Sequence, residues 1–401
     1  MKITALETLY LDEFPHLCWV QVHTDEGLVG LGETYFGPQA VAAHIHANVA
    51  PYLLGKDPLQ IDRHWRALYG AHGIRSTGVE DRALSATDIA LWDIFGQATH
   101  LPIYQLLGGA TRERIRIYNT VAGYRHTERQ ARPGKPSHGN WGLGGRSEGP
   151  YEDYEAQFER PEELAESLLA EGISAIKLFP FEPPPGGGQS VSREEMEIGL
   201  EPFRRIRKAV GNRLDIAVDL GCAYSLPAAL KIARALEEFE LMWIEDPMTL
   251  DDLDALAEFS AAIATPVAGS EFLGSRYAFR ELLEKRAVSI VLMDPGWVGG
   301  ISEGRKVAAM AEAFHRPFAP HECTGPVAMI AGIHLCINAT NAFIQETVRA
   351  YYRGSYLDIV TRLPRIEGGY AYPPEGPGLG TSLQPELFKR ADAHVQRSEL
   401  T

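Results

Sequence analysis

The first 35 residues alternate between apolar and polar side chains in the manner of antiparallel strands. The segment HLCWVQVHTDEGLVGLGE, residues 16–33, contains two extended runs joined at Asp25-Glu26-Gly27. From about residue 37 to residue 108 the apolar positions recur with helical spacing, for example in DRALSATDIALWDIFGQATH. Together these patterns predict an α+β unit over residues 1–113.

From residue 114 onward a different pattern recurs, in which short β-rich runs alternate with helical segments such as REEMEIGLEPFRRIRKAV. This alternation predicts a parallel (β/α) barrel over residues 114–348, with a doubly wound open sheet as the alternative. The eight β-rich runs are residues 114–121, 175–181, 214–220, 241–247, 265–271, 288–295, 316–322 and 341–347.

The composition narrows the classes of partner. The formal net charge of −15 argues against nucleic acid and anionic membrane surfaces, which select basic faces, but not against a small anionic substrate. The four cysteines lie far apart and show neither CxxC nor zinc-like spacing, which favours a reducing, cytoplasmic setting. The N-terminus carries acids at Glu7, Asp12 and Glu13 and has no long apolar core, so we expect no signal peptide.

Three acidic residues end successive β-rich runs at equal intervals. Asp219, Glu245 and Glu271 are spaced 26 residues apart. Since the carboxyl ends of parallel strands meet at one rim of a barrel, we expect the three carboxylates to converge there. Alone they would repel one another, whereas Mg²⁺ binds carboxylate oxygens and leaves room for water and substrate. Any one of the acids could instead cap a loop or lie on the surface, but three in register favour a metal site.

The other runs add groups of different chemistry. Lys177 interrupts the apolar run AIKLF, so it is either a snorkelling or a functional side chain. Asp294 and His321 end adjacent runs and are 27 residues apart, and Glu346 ends the eighth run. A carboxylate beside an imidazole orients the ring and raises its basicity, which is typical of a general acid–base pair. By itself, His321 would more often be a hydrogen-bonded structural residue.

These residues, together with several longer motifs, resemble the enolase superfamily, specifically its mandelate racemase-like branch. The resemblance covers nearly the whole chain and includes EGLVGLGE, ALSATDIALWDIFGQ, PIYQLLGG, WIEDP, GWVGG and PPEGPGLG. It implies a (β/α)7β barrel with an α+β capping domain that residues 349–401 complete. It also implies Mg²⁺ held by Asp219, Glu245 and Glu271, and a reaction that begins with removal of the proton α to a substrate carboxylate.

Departures from the family pattern favour one subclass. Many members of the branch carry Lys-x-Lys on the second strand, whereas Phe179 stands at the second position here and only Lys177 can act. No lysine ends the sixth run, which removes the opposed lysine pair of the muconate-lactonizing and dipeptide-epimerase types. Gly221 stands where relatives often place Asn or His. The runs KLFPFE and APHECTGP look most like dehydratases of acid sugars.

The resulting hypothesis is a Mg²⁺-dependent hydro-lyase that converts an aldonate or aldarate into a 2-keto-3-deoxy acid. His321, supported by Asp294, would protonate the departing β-hydroxyl, and we favour Lys177 as the base that takes the α-proton. Lys177 could instead be a cation beside the substrate carboxylate, which a protonated Glu346 could hydrogen-bond. A racemase or epimerase of an α-hydroxy acid, using Lys177 and His321 on opposite faces, is the alternative, and a non-catalytic barrel is a third hypothesis.

Residues of the capping loops would set which sugar acid binds. We expect a small-molecule carboxylate substrate, no nucleic acid or membrane partner, and a homo-oligomer. The candidate substrate-binding residues are His16, Tyr35, Arg75, Tyr124 and Arg125, with His126 beside them.

Overall fold

The N-terminal strands form one antiparallel sheet with a strand from the end of the chain. The computed structural model describes residues 1–70, 78–123, 151–181, 183 and 187–400. Strands β1 (Ile3–Leu11), β2 (Phe14–Thr24) and β3 (Val29–Tyr35) are joined by β14 (Ala393–Glu399) in the order β14-β1-β2-β3. The turn between β2 and β3 contains Asp25-Glu26-Gly27, which confirms the predicted hairpin.

Helices follow these strands, as the spacing of apolar residues predicts. They are α1 (Pro38–His44), α2 (Ala50–Leu53), α3 (Ile61–Leu68), α4 (Val79–Thr99) and α5 (Ile103–Leu106). The long helix α4 lies directly on β3, and two glycines of the GLVGLGE motif permit this approach. A Cβ at Gly30 would lie 2.0 Å from the carbonyl oxygen of Ala90, and one at Gly32 would lie 1.8 Å from that of Ala86.

The eight β-rich runs each contain a strand, and these strands close into a ring. From β4 to β10 each strand pairs in parallel with the next. Strand β11 pairs in parallel with β4, and Phe318 of β10 bridges to Ala342 just before β11. This closure confirms the predicted barrel and excludes the open sheet. The strands are β4 (Ile115–Thr120), β5 (Ala175–Leu178), β6 (Asp215–Asp219), β7 (Trp243–Glu245), β8 (Val267–Gly269), β9 (Ile290–Met293), β10 (Phe318–Pro320) and β11 (Gln345–Thr347).

Helices connect the barrel strands, and short elements follow the last of them. No helix in the described part of the chain is long and apolar enough to cross a membrane.

The predicted division of the chain into domains at residues 113 and 348 stays a prediction. The helices are α6 (Asp153–Glu159), α7 (Pro161–Ala170), α8 (Arg193–Val210), α9 (Leu226–Leu236), α10 (Leu253–Ala262), α11 (Ser275–Glu284), α12 (Gly300–Ala313), α13 (Pro326–Asn338) and α14 (Tyr356–Ile359), and the short strands are β12 (Ile366–Glu367) and β13 (Tyr370–Ala371).

The interior of the barrel is a packed apolar layer and not a channel. Tyr118 and Trp243 are fully buried and meet edge to face, with ring centroids 5.2 Å apart. Smaller residues fill the space around them, namely Ala175, Ala217, Ala268, Ile290, Leu292, Ala319 and Ile344. Polar side chains therefore collect at the carboxyl ends of the strands, above this layer.

A buried glutamate joins the N-terminal sheet to the barrel. The Glu33 carboxylate, on β3, accepts hydrogen bonds from the backbone N–H groups of Val327 and Ala328 at 3.0 and 2.9 Å. These are the first free N–H groups of α13, where the helix dipole favours negative charge. The other carboxylate oxygen accepts a bond from Trp19 Nε1 at 2.7 Å. Glu33 thus satisfies three donors, and two of them lie across the seam between the two parts of the fold.

Replacing Glu33 with glutamine is expected to destabilise the fold by about 1–3 kcal/mol, because the amide presents an NH₂ group to one of these buried donors. The urea midpoint of unfolding measures this loss. Glu26→Gln is the matched control, since that side chain is 59% exposed and its ion pair is with the ammonium group of Met1 at the surface. Equal midpoints for the two variants would contradict the structural role of Glu33.

Candidate active site

The predicted acids lie together at the carboxyl-terminal rim of the barrel. Asp219 ends β6 and pairs in register with Glu245, the last residue of β7. Glu271 follows β8 by two residues. All three side chains are buried, which is costly for carboxylates unless cations or donors surround them.

Lys177 is the cation that meets these acids in the structure. Its ammonium group donates to Glu245, lies 2.9 Å from Glu346 Oε1 and 3.6 Å from Asp219 Oδ2. Burial alone would lower the pKa of Lys177, but the surrounding carboxylates outweigh it and raise the pKa well above its ordinary value. The second oxygen of Glu245 accepts a bond from Trp243 Nε1 at 2.8 Å. Three donors on the lysine face three carboxylates, so its charge is held within the cluster.

The single positive charge of Lys177 does not neutralise all the carboxyl groups buried at this rim. Asp246, which the sequence analysis did not single out, is also buried beside them, and it follows directly after Glu245 in the WIEDP motif. Burial raises the pKa of Asp219 to about 6 and the pKa values of Glu245 and Asp246 to about 7. One oxygen of Asp246 and one of Glu271 are buried and have no hydrogen-bond partner among the described residues. These oxygens are expected to attract further positive charge.

The donor set suits a hard divalent cation, although the side chains are not closed around one. Among the described residues, no three His, Cys, Asp or Glu side chains are gathered so that they could hold a metal ion as they stand. The Lys177 ammonium group contacts two of the three predicted ligands. Carboxylate oxygens with unpartnered lone pairs are the ligands that Mg²⁺ prefers. A cation bound by Asp219 and Glu245 would therefore share these two carboxylates with the Lys177 ammonium group.

His321 and Asp294 form the expected pair on the neighbouring strands. His321 Nδ1 lies 2.8 Å from Asp294 Oδ2, which leaves Nε2 directed toward the cavity. Nε2 is 3.5 Å from Glu271 Oε1 and 3.4 Å from the sulfur of Cys323. Burial would lower the pKa of His321, but the charges of Glu346 and Asp294 raise it overall. The contact with Asp294 therefore holds the ring in one orientation in which Nε2 can take up or release a proton.

Both carboxylate oxygens of Glu346 accept hydrogen bonds. It accepts a hydrogen bond from Thr120 Oγ1 and another from the backbone N–H of Glu322 at 2.7 Å. Burial would raise the pKa of Glu346, but Lys177 and His321 lower it below its ordinary value. The two cations therefore favour the ionised form of Glu346 and oppose the protonated form that was considered from the sequence.

Only two of the candidate substrate-binding residues, His16 and Tyr35, lie within the described part of the chain. Arg75, Tyr124, Arg125 and His126 fall outside the described residues. His16 and Tyr35 pack with Phe36, at centroid distances of 5.3 and 4.6 Å. They are not among the described residues that line the cavity.

An aromatic residue missed by the sequence analysis connects this packing to the histidine. Trp297 stacks on Phe36 at 5.8 Å and lies 5.2 Å from the His321 ring. Its Nε1 donates to the carbonyl oxygen of Tyr35 at 3.3 Å. The only sequence signal was its place in the GWVGG motif after Asp294. Trp297 therefore connects the N-terminal part of the fold to the ring of His321.

Comparison with known families agrees with this geometry. Residues 160–387 match the family described as enolase C-terminal domain-like. Residues 13–108 match the N-terminal domain of the mandelate racemase and muconate lactonizing enzymes. The chain belongs to the enolase superfamily, in its mandelate racemase-like branch. This confirms the resemblance drawn from the sequence motifs.

Several relatives are similar over almost their entire length. An enolase of the mandelate racemase subgroup from Agrobacterium tumefaciens has a solved structure with a TM-score of 0.87 and 44% identity, covering 100% of this chain and 99% of that one. An enolase from Sargasso Sea environmental DNA has a TM-score of 0.87 and 39% identity over the same shares. The D-galactonate dehydratase of Ralstonia nicotianae is 32% identical over 394 residues, 96% of this chain and 93% of the relative.

Proposed function

We propose that this enolase superfamily member is a Mg²⁺-dependent dehydratase of a sugar acid, which it converts into a 2-keto-3-deoxy acid. The observation that carries the proposal is the His321–Asp294 pair facing Lys177 and the acid cluster across one cavity. Relatives of 32% and 31% identity are named D-galactonate dehydratases, which supports the same reaction class. The proposed metal ligands are Asp219, Glu245 and Glu271, and Mg²⁺ bound there would stabilise the negative charge that develops on the substrate carboxylate.

His321 is proposed to serve both proton transfers. With Nδ1 held by Asp294, Nε2 takes the proton from the α-carbon, and the electron pair of that bond enters the enediolate. The enediolate then expels the β-hydroxyl as its C–O bond breaks, and Nε2 returns the proton to that oxygen to form water. The resulting enol rearranges to the keto acid. His321 Nε2 is therefore unprotonated both before and after the reaction.

Lys177 is proposed to be a positioning cation. The sequence alone favoured it as the base, but a base needs a free lone pair, and in the structure its ammonium group donates to Glu245 and lies 2.9 Å from Glu346 Oε1. The same positive charge can accompany an incoming substrate carboxylate among acids that would otherwise repel it. Racemisation would require a second base opposite His321, so this placement favours dehydration over the epimerase alternative.

A panel of aldonic and aldaric acids, beginning with D-galactonate, tests the function. Incubation with the protein and Mg²⁺ is expected to yield a product that reacts with a carbonyl reagent such as semicarbazide. The His321→Asn variant is the control and should yield none. Deuterium incorporated at the α-carbon with inverted configuration, and no keto acid, would instead assign the protein to the epimerases.

A further inference from the structure

A thiol lies beside the imidazole at the edge of the cavity. Cys323 follows His321 by two residues, is 7% exposed and lines the same cavity. Its sulfur is 3.4 Å from His321 Nε2, the ring nitrogen that remains available while Asp294 holds Nδ1 at 2.8 Å. The proposed reaction gives this thiol no role. The two side chains therefore offer one sulfur and one nitrogen, side by side, to a ligand in the cavity.

The separation of these two atoms matches that of two ligands of one zinc ion. Zinc binds imidazole nitrogen at about 2.0–2.1 Å and thiolate sulfur at about 2.3 Å, in tetrahedral geometry. Two such ligands of one ion lie about 3.6 Å apart. The observed separation of 3.4 Å is close to this value, so the two atoms need to move little to bind the same ion.

The surroundings of the imidazole are also those of a metal ligand. Histidines that bind metals generally donate their other ring N–H to a carboxylate, which fixes the direction of the ligating nitrogen. Asp294 occupies that position at Nδ1. Glu271 Oε1 lies 3.5 Å from Nε2, and its second oxygen is buried and has no hydrogen-bond partner among the described residues. This carboxylate favours a cation beside the pair, independently of the thiol.

We propose that His321 Nε2 and Cys323 Sγ bind a Zn²⁺ ion, at a site separate from the proposed Mg²⁺ site, and that this ion inhibits the enzyme. Mg²⁺ prefers carboxylate oxygens, whereas imidazole and thiolate ligands suit Zn²⁺. Among the described residues, no three His, Cys, Asp or Glu side chains could hold a metal ion together, so the site has two protein ligands and water completes the coordination.

Binding of the ion exchanges a proton for the metal. The S–H bond of Cys323 breaks, a bond from sulfur to zinc forms, and the proton leaves to solvent. His321 donates the Nε2 lone pair to the same ion, so that lone pair can no longer take the α-proton of a substrate. The inhibition therefore rests on the proposed function, whereas binding of the ion does not.

Co²⁺ makes the site visible, because thiolate bound to Co²⁺ gives a charge-transfer band in the near ultraviolet and carboxylate ligands do not. With Mg²⁺ in excess to occupy the acid cluster, the unmodified protein titrated with Co²⁺ is expected to develop this band, and Zn²⁺ is expected to remove it. The band should be absent in both Cys323→Ser and Cys323→Ala. In Asp294→Asn it should persist with an affinity about 10–100-fold weaker, the usual cost of losing the partner of a ligating histidine.

Cys222→Ser is the matched control. Cys222 is half-buried on the loop after β6, and its backbone N–H donates to the carbonyl oxygen of Asp246 at 2.7 Å, so it lies near the acid cluster. The band should be unchanged in this variant, and also in Glu245→Gln, which alters the acid cluster alone. No band in the unmodified protein, a band that persists in Cys323→Ser, or one lost in Cys222→Ser or Glu245→Gln would overturn the proposed site.

Turnover of a sugar acid identified by the panel measures the consequence of binding. Added Zn²⁺ is expected to stop keto-acid formation in excess Mg²⁺, and Cys323→Ser is expected to need at least about tenfold more Zn²⁺ for the same inhibition. If the cobalt band forms but no sugar acid is turned over, the zinc site stands and the dehydratase is wrong. Full turnover with Zn²⁺ bound would reject the inhibition.

Discussion

The Glu245→Gln variant is expected to bind Mn²⁺ at least about a hundredfold more weakly than the unmodified protein and to lose its dehydratase activity. Residues that merely support a metal ligand cost about 10–100-fold when removed, so loss of a proposed ligand costs at least as much. The glutamine keeps the size of the side chain and one acceptor for Trp243 Nε1, so the fold is expected to persist. Mn²⁺ is the probe because its electron paramagnetic resonance signal reports binding without reference to activity.

Asp215→Asn is the matched control for this variant. Asp215 begins β6, at the opposite end of the strand from Asp219, and pairs with Arg116 on the exposed surface at 2.7 Å. Its replacement should leave Mn²⁺ affinity and activity unchanged. Full activity in Glu245→Gln, or activity of the unmodified protein that survives excess EDTA, would disprove the metal assignment.

The second large effect is expected at His321. If one imidazole serves both proton transfers, His321→Asn loses more than the roughly 10²–10⁴-fold assigned to a single transfer. Asp294→Asn is expected to lose less, because the ring that contacts substrate remains. Exchange of the substrate α-proton with deuterated solvent, followed by ¹H NMR, isolates the first transfer. This exchange should be absent in His321→Asn.

Lys177→Met distinguishes the two candidate bases in the same measurement. Methionine keeps the length of the side chain but removes its charge. If Lys177 only accompanies the substrate carboxylate, α-proton exchange continues in this variant while KM rises. The opposite pattern, exchange lost in Lys177→Met and retained in His321→Asn, would return the role of base to Lys177, as the sequence alone favoured. Near-normal turnover by His321→Asn together with Asp294→Asn would reject the acid–base pair.

The local pattern of apolar and polar residues was sufficient to predict the barrel architecture. Strand and helix periodicities differ and are visible within a few residues, so all eight barrel strands lie inside the predicted runs. Boundaries were less well predicted. The run 241–247 yields only Trp243–Glu245 as strand, because Asp246 takes a positive φ of 39° that no strand accommodates. The same backbone turn places its carboxylate among the other acids.

The sequence by itself determined which chemical groups stand at the strand ends, because equal spacing on parallel strands brings Asp219, Glu245 and Glu271 to one rim. Only the tertiary structure decided which groups touch. Lys177 and Glu245 are 68 positions apart in sequence, and their contact depends on the side-chain directions of two strands separated by a third. Phe179 and Phe272 line one cavity for the same reason, because they belong to loops that meet only once the barrel has closed. Such contacts leave no periodic trace in the chain, since they depend on long-range packing and not on local backbone preference.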